Sequence, residues 1–164
     1  MTLAPVWLPA MFNTNGEWNA VLAGLYAIFV RDIKQGKLEL ERRPVWWDKR
    51  VLPGELYEEG FWHLISRGAA SGDDRLFDPR RAERLPWCGP TVRNARDAEV
   101  RVWDYEEGTG NIRTYVWLHR FDYLLVFQKK DLKKWQIAFL ITAYHLDGPK
   151  SRDSVERKYR QRIQ

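Results

Sequence analysis

Between residues 99 and 145 four segments rich in Val, Ile, Tyr, Trp and Phe follow one another so closely that only hairpins can join them. The segments are 99–105, 112–118, 122–128 and 135–145, and a parallel crossover between any two would need a dozen residues or more. The sequence therefore predicts an antiparallel sheet. In the last segment alternation places Trp135, Ile137, Phe139, Ile141 and Ala143 on one face, read as core. Gln136, Ala138, Leu140, Thr142 and Tyr144 take the other, which becomes polar towards its end.

A sheet of this kind needs a helix across it. Trp18, Val21, Leu22, Leu25, Phe29 and Ile33 recur at helical spacing between Asn15-Gly16 and Gly36, predicting an amphipathic helix over about 17–34. Residues 37–58 read as irregular, with a short strand at 38–40 and a turn at Pro53-Gly54. FWHLISR, residues 61–67, reads as a strand, with a helix as the alternative. On a strand, Phe61, His63, Ile65 and Arg67 share a face. Residues 68–74 read as a small-residue, acidic loop. Asp78 then offers a cap and Pro79 a first helical residue, so 79–85 is expected to be a short helix with Arg81 and Arg84 as neighbours, ended by Pro86 and the CGP at 88–90. A basic helix from about 151 to 163, capped by Ser151, closes the chain. One α+β domain is expected, with an irregular lead (1–14), a core (15–150) and this helix (151–164).

Cys88 is the only cysteine and there are three histidines, so no internal disulfide is available and no CxxC or HExxH spacing exists. Neither a metal nor a cofactor is expected. The first twelve residues lack a basic leader and no run of about 18 apolar residues occurs, so the expectation is a cytoplasmic protein with no membrane partner. Net charge is +5, unevenly spread. Residues 75–96 hold six arginines against Asp78 and Glu83, and residues 149–164 hold six basic against two acidic residues. Two basic segments on a slightly acidic body suit a polyanion. The arginine-only character of the first suits bidentate phosphate recognition, with a merely solvated face as the plain alternative.

His63 paired with Arg67 is a titratable imidazole beside a fixed cation, as phosphate chemistry requires. A hydrogen-bonded core histidine is the competing reading. Metal-free RNA cleavage uses the 2′-hydroxyl as nucleophile and asks the protein for proton transfer and cations. His63 could move the proton, Arg67, Arg81 and Arg84 could clamp phosphate, and Thr142 with Tyr144 could supply hydroxyls. His145 points away from Thr142 and Tyr144, and His119 sits in a turn; both are weaker candidates.

FWHLISR (61–67), DPRRAERLPW (78–87), VRVWDYE (100–106) and LITAYHL (140–146), with the WNAVLAGLYAIFVRD helix (18–32), resemble in that order a family of small phage and prophage proteins. That family is the phage branch of the barnase, colicin and RelE-like ribonuclease superfamily. The resemblance implies an N-terminal helix packed on an antiparallel sheet of four to five strands, with the active site on the other sheet face. It further implies a metal-independent endoribonuclease, a phage effector or toxin, whose partners are RNA (single-stranded or tRNA) and an antitoxin or immunity protein. His63, Arg67, Arg84, Thr142 and Tyr144 would be its catalytic set, with Arg81 on the phosphate; the basic segments themselves suggest Arg80, Lys150, Arg152 and Arg157 as further phosphate contacts. A non-catalytic nucleic-acid- or protein-binding module of a mobile element is the alternative. A phage structural protein using Trp46 and Trp47 as its contact is a third.

Overall fold

The computed structural model describes residues 3–68, 75–108 and 110–164. The predicted meander is its centre: β5 (Val100–Glu106), β6 (Ile112–Leu118), β7 (Tyr123–Asp131) and β8 (Gln136–His145) pair antiparallel in sequence order. The sheet is nevertheless mixed and six-stranded. The segment read as irregular contributes β1 (Glu39–Leu40) and β2 (Arg43–Trp46), and β2 adds to β8 in parallel, with Val45 opposite Ala138. Hairpin logic could not foresee this pairing, because it joins residues 93 positions apart. Glu41 and Arg42, the two-residue turn between β1 and β2, both sit at positive φ (50° and 66°). Such a turn matches strand twist but usually recruits Asn-Gly, so two bulky residues hold it under strain. The sheet curls: Lys129 on β7 pairs with Glu41 in that turn and, at 3.2 Å, with Asp104 on β5.

One face of the sheet is roofed by helices. In α1 (Trp18–Phe29) the Glu17 carboxylate caps the first turn by accepting from the Asn19 and Ala20 amides at 3.0 and 2.9 Å. The helix continues through a π turn, Val30–Lys34, so the predicted span holds but its last turn is widened. Gly36 then lies so close to the Asp32 carbonyl that a Cβ would fall within 1.8 Å of it. Val21, Leu25, Phe29 and Ile33 meet Val116, Leu118, Tyr123, Leu125 and Phe127 in the main core.

FWHLISR is the clearest correction. Residues Glu59–Ile65 form α2, and only Ser66–Gly68 is strand (β3), paired with β4 (Arg75–Phe77). Burial of Phe61, Leu64 and Ile65 follows a helical 3–4 spacing, and Glu59 and His63 become neighbours on one face. His63 and Arg67 therefore do not share a strand face. The loop expected over 68–74 falls, beyond Gly68, outside the described residues. Asp78 and Pro79 start α3 (Pro79–Glu83) as predicted, the Asp78 carboxylate accepting from the Arg80 amide at 3.0 Å. Pro86 and Pro90 do not end helical structure: α4 (Leu85–Arg93) runs through both, Pro86 sitting in its first turn where no amide is needed.

The last strand also departs from simple alternation. A β-bulge at Ile141 shifts the register opposite Val126 and Phe127, so Ala138, Leu140 and Ala143 face the helices, while Trp135 is exposed. Thr142 and Tyr144 keep to the opposite side from His145. That side is covered by α5 (Gly148–Arg160), which begins at Asp147 rather than Ser151. Val155 is buried there with Trp103, Tyr115, Trp117 and Leu124, and Tyr159 packs against them. The C-terminal helix is part of a second core, not an appendage. No helix among the described residues is long and apolar enough to cross a membrane.

Candidate functional site

The C-terminal half of β8 meets α2 and α3 at one corner, and Arg81 ties the three together. Its Nη1 donates to the carbonyls of Ser66 (2.8 Å) and His63 (3.2 Å) and to Thr142 Oγ1 (3.3 Å). Thr142 in turn donates to the His63 carbonyl at 3.0 Å. The Arg81 guanidinium lies 5.2 Å from the Tyr144 ring centroid, and its Nε faces Asp78 at 3.4 Å. Four of the predicted residues therefore converge, but His63 joins through its carbonyl. Burial lowers the Arg81 pKa against the pull of Asp78, with Arg67 adding to the lowering.

The His63 imidazole stands at the last turn of α2, exposed on one side and crowded on the others. That crowding pushes its pKa below the usual 6.5; Glu59 and Asp48 pull it back up, Arg75 and Arg81 push it further down. The neutral form thus dominates at pH 7, which is the form a proton acceptor needs. Arg67 is exposed and makes no hydrogen bond or ion pair among the described residues. Burial raises the Tyr144 pKa, so its hydroxyl keeps its proton.

The other predicted cations divide sharply. Arg84 Nη1 donates to the Arg80 carbonyl at 2.9 Å, the group approaches Glu83 at 3.5 Å, and it lies over Trp87. Arg80 pairs with Asp147 at 2.5 Å. Arg152 donates to the His119 carbonyl at 2.7 Å, pairs with Asp122 and covers the Trp117 ring, so it serves the second core. Arg157 is exposed and unpaired among the described residues. Lys150 lines, with Tyr144, Ser151, Ser154 and Lys158, a cavity of about 330 Å³ on the α5 side.

Sequence reasoning missed one group here and ranked a second below His63. Arg75 forms a largely buried ion pair with Glu59 and lies 5.4 Å from the Trp62 ring centroid, an arrangement hidden once 61–67 is read as strand. His145 Nδ1 is buried with no hydrogen-bond partner among the described residues, and burial together with Arg84 lowers its pKa. Strand alternation put it on the face away from Thr142 and Tyr144, and nothing in the sequence brings Arg84 beside it. A larger cavity, about 790 Å³, lies away from this corner between the β1–β2 turn and the end of α4. Glu39, Glu41 and Asp97 line it with Arg42, Arg93 and Arg96, so its mixed charge does not favour a polyanion. Among the described residues no three His, Cys, Asp or Glu side chains gather closely enough to hold a metal ion. Compared with protein-family models, curated proteins and solved structures, the chain matches none.

Proposed function

We propose that the protein is a metal-independent endoribonuclease that works at the α2–α3–β8 corner. The observation that carries the reading is the exposed, predominantly neutral His63 imidazole standing near Arg75 and Arg81, with Arg67 in turn near Arg81. His63 takes the proton of a ribose 2′-hydroxyl as O2′ bonds to phosphorus. The P–O5′ bond breaks, and the departing 5′-oxygen takes its proton from water. In this reading Arg67, an exposed cation near Arg81, meets the charge that develops on the phosphoryl oxygens. Products end in a 2′,3′-cyclic phosphate and a 5′-hydroxyl. A helix packed on an antiparallel meander supports the reading, being what the resemblance implies; the parallel β2 and the helix-covered second face are not part of that expectation.

The test is incubation of purified protein with total RNA in EDTA, followed by analysis of product ends. Cyclic phosphates that disappear with His63→Gln are the expected result; intact RNA, or cleavage that survives the substitution, removes the assignment. A second reading, an RNA-binding module without catalysis, is favoured by one observation: Arg81 and Thr142 direct their hydrogen bonds at backbone carbonyls rather than at open solvent.

A further inference from the structure

Beside this corner is a second concavity with a different chemistry. Trp18, Glu55, Trp62, Ser66, Arg75 and Phe77 enclose about 300 Å³. Three aromatic rings supply its walls: Trp18 meets Phe77 edge to face at 4.8 Å, and the Arg75 guanidinium, fixed by buried Glu59, lies over Trp62. Trp18 remains 44% exposed at the mouth, although an indole is among the most costly side chains to leave in water. The slot and the corner are continuous through one residue. Ser66 Oγ donates to the Trp62 carbonyl at 2.5 Å, while the Ser66 carbonyl accepts from Arg81.

We propose that this slot takes one unstacked nucleobase of a single-stranded RNA, flanking the phosphate engaged at the His63 corner; the inference rests on the RNA reading above. Aromatic faces and a fixed guanidinium plane are what an extruded base stacks on, whatever its identity, because every base has a π face. A paired base, stacked inside a helix, cannot enter a recess of this size. The exposed Glu55 carboxylate at the rim would accept from a base amino group. The site thereby selects single strands over duplex without reading sequence strongly.

The experiment uses the full chain and a single-stranded RNA carrying 2-aminopurine, with a 2′-methoxy group blocking cleavage at each position. Saturable fluorescence quenching is expected, with Kd raised about tenfold by Trp18→Ala and restored by Trp18→Phe, stacking being worth roughly that much per base. Because Trp18 is half exposed at a helix end, Trp18→Ala should fold, which a melting curve checks; Phe77→Leu provides a second variant if it does not. The same oligonucleotide annealed to its complement should bind more weakly at matched salt. Unquenched binding, or equal Kd for Trp18→Ala, Phe77→Leu and wild type, overturns the slot. Cleavage is read separately: RNA cut normally by a protein whose binding ignores Trp18 removes the slot and leaves the nuclease, whereas Trp18-dependent quenching without cleavage keeps the slot and removes the nuclease.

Discussion

The two faces of the sheet are built on different physics. The face under α1–α4 is closed chiefly by aliphatic and phenylalanine side chains, with Leu25, Phe29, Phe61, Leu125 and Phe127 fully buried, and Trp87 and Tyr123 join them while cations lie over rings at its margin. The face under α5 is closed by aromatic rings with cations laid over them: Arg101 lies over Trp117 and Tyr159, Arg152 over Trp117, and Lys158 over Tyr105 and Tyr115. Lys158 also donates to Glu107 at 2.9 Å and to the Tyr115 hydroxyl at 3.1 Å. Half of the positive charge of the C-terminal segment, on Arg152, Lys158 and Arg162, is therefore adhesive. A basic run can be the mortar of a core rather than a grip on nucleic acid, and its composition alone does not distinguish the two.

Deleting residues 148–164 is the severest way to break this comparison. With Val155 gone and Trp103, Trp117 and Leu124 uncovered, the loss should reach about 5 kcal/mol or more, at roughly 1.5–3 kcal/mol per large apolar side chain exposed. Denaturant unfolding reads it directly. A truncated chain with the wild-type midpoint would mean the helix grips something outside the molecule. Next in size is a pair of neighbours on β7. Phe127 points to the helix-roofed face and Val126 to the other, so Phe127→Ala should cost about 3–5 kcal/mol and Val126→Ala about 1–2 kcal/mol. Equal costs would show that the two faces do not differ in how tightly they are closed.

Arginines sharpen the comparison at smaller cost. Arg101→Gln removes two cation–π contacts and the 3.5 Å pair with Glu156, and should destabilise by about 1 kcal/mol while leaving RNA affinity unchanged. Arg67→Gln should do the reverse: stability within about 0.5 kcal/mol of wild type, and a log-log salt slope for single-stranded RNA reduced by about 0.7. Parallel thermal melts and salt titrations separate them, and identical profiles would erase the division between adhesive and free cations. The smallest effect is on pH dependence. His63 and His145 both have pKa values below 6.5, so the unfolded chain binds more protons between those lowered values and 6.5. Their contribution to stability is full above about pH 6.5 and falls with pH through that window. Replacing either with Gln should flatten the slope of unfolding free energy there, and an unchanged slope would mean that residue is no more desolvated folded than unfolded.

The meander was legible because hairpin spacing and β-rich composition are local, and its strand limits come within about three residues of expectation. The Asp78-Pro79 helix start was legible for the same reason. FWHLISR was not, since seven residues suit either periodicity and only the contacts of Phe61, Leu64 and Ile65 with α1 and the sheet decide for a helix. The shared corner of Arg81, Thr142 and Tyr144 could be named from residue types. Its bonds to the His63 and Ser66 carbonyls depend on the α2–β3 junction and could not. Likewise the bulge at Ile141, which sets the last strand's inner face, has no marker in the residues around it.

The parallel register of Val45 against Ala138 imposes an order of assembly. Residues 100–145 can zip locally, hairpin by hairpin, but closing a loop of 93 residues costs on the order of 4 kcal/mol before the first β2–β8 bond forms. During synthesis Phe29, Leu38, Leu40 and Phe61 leave the ribosome long before β8 exists to receive them. The amino-terminal half thus emerges as an amphipathic orphan whose β1–β2 hairpin waits until the last strand is translated. Slowing translation across residues 136–147 should lengthen that exposed interval and raise chaperone dependence without altering a single native contact.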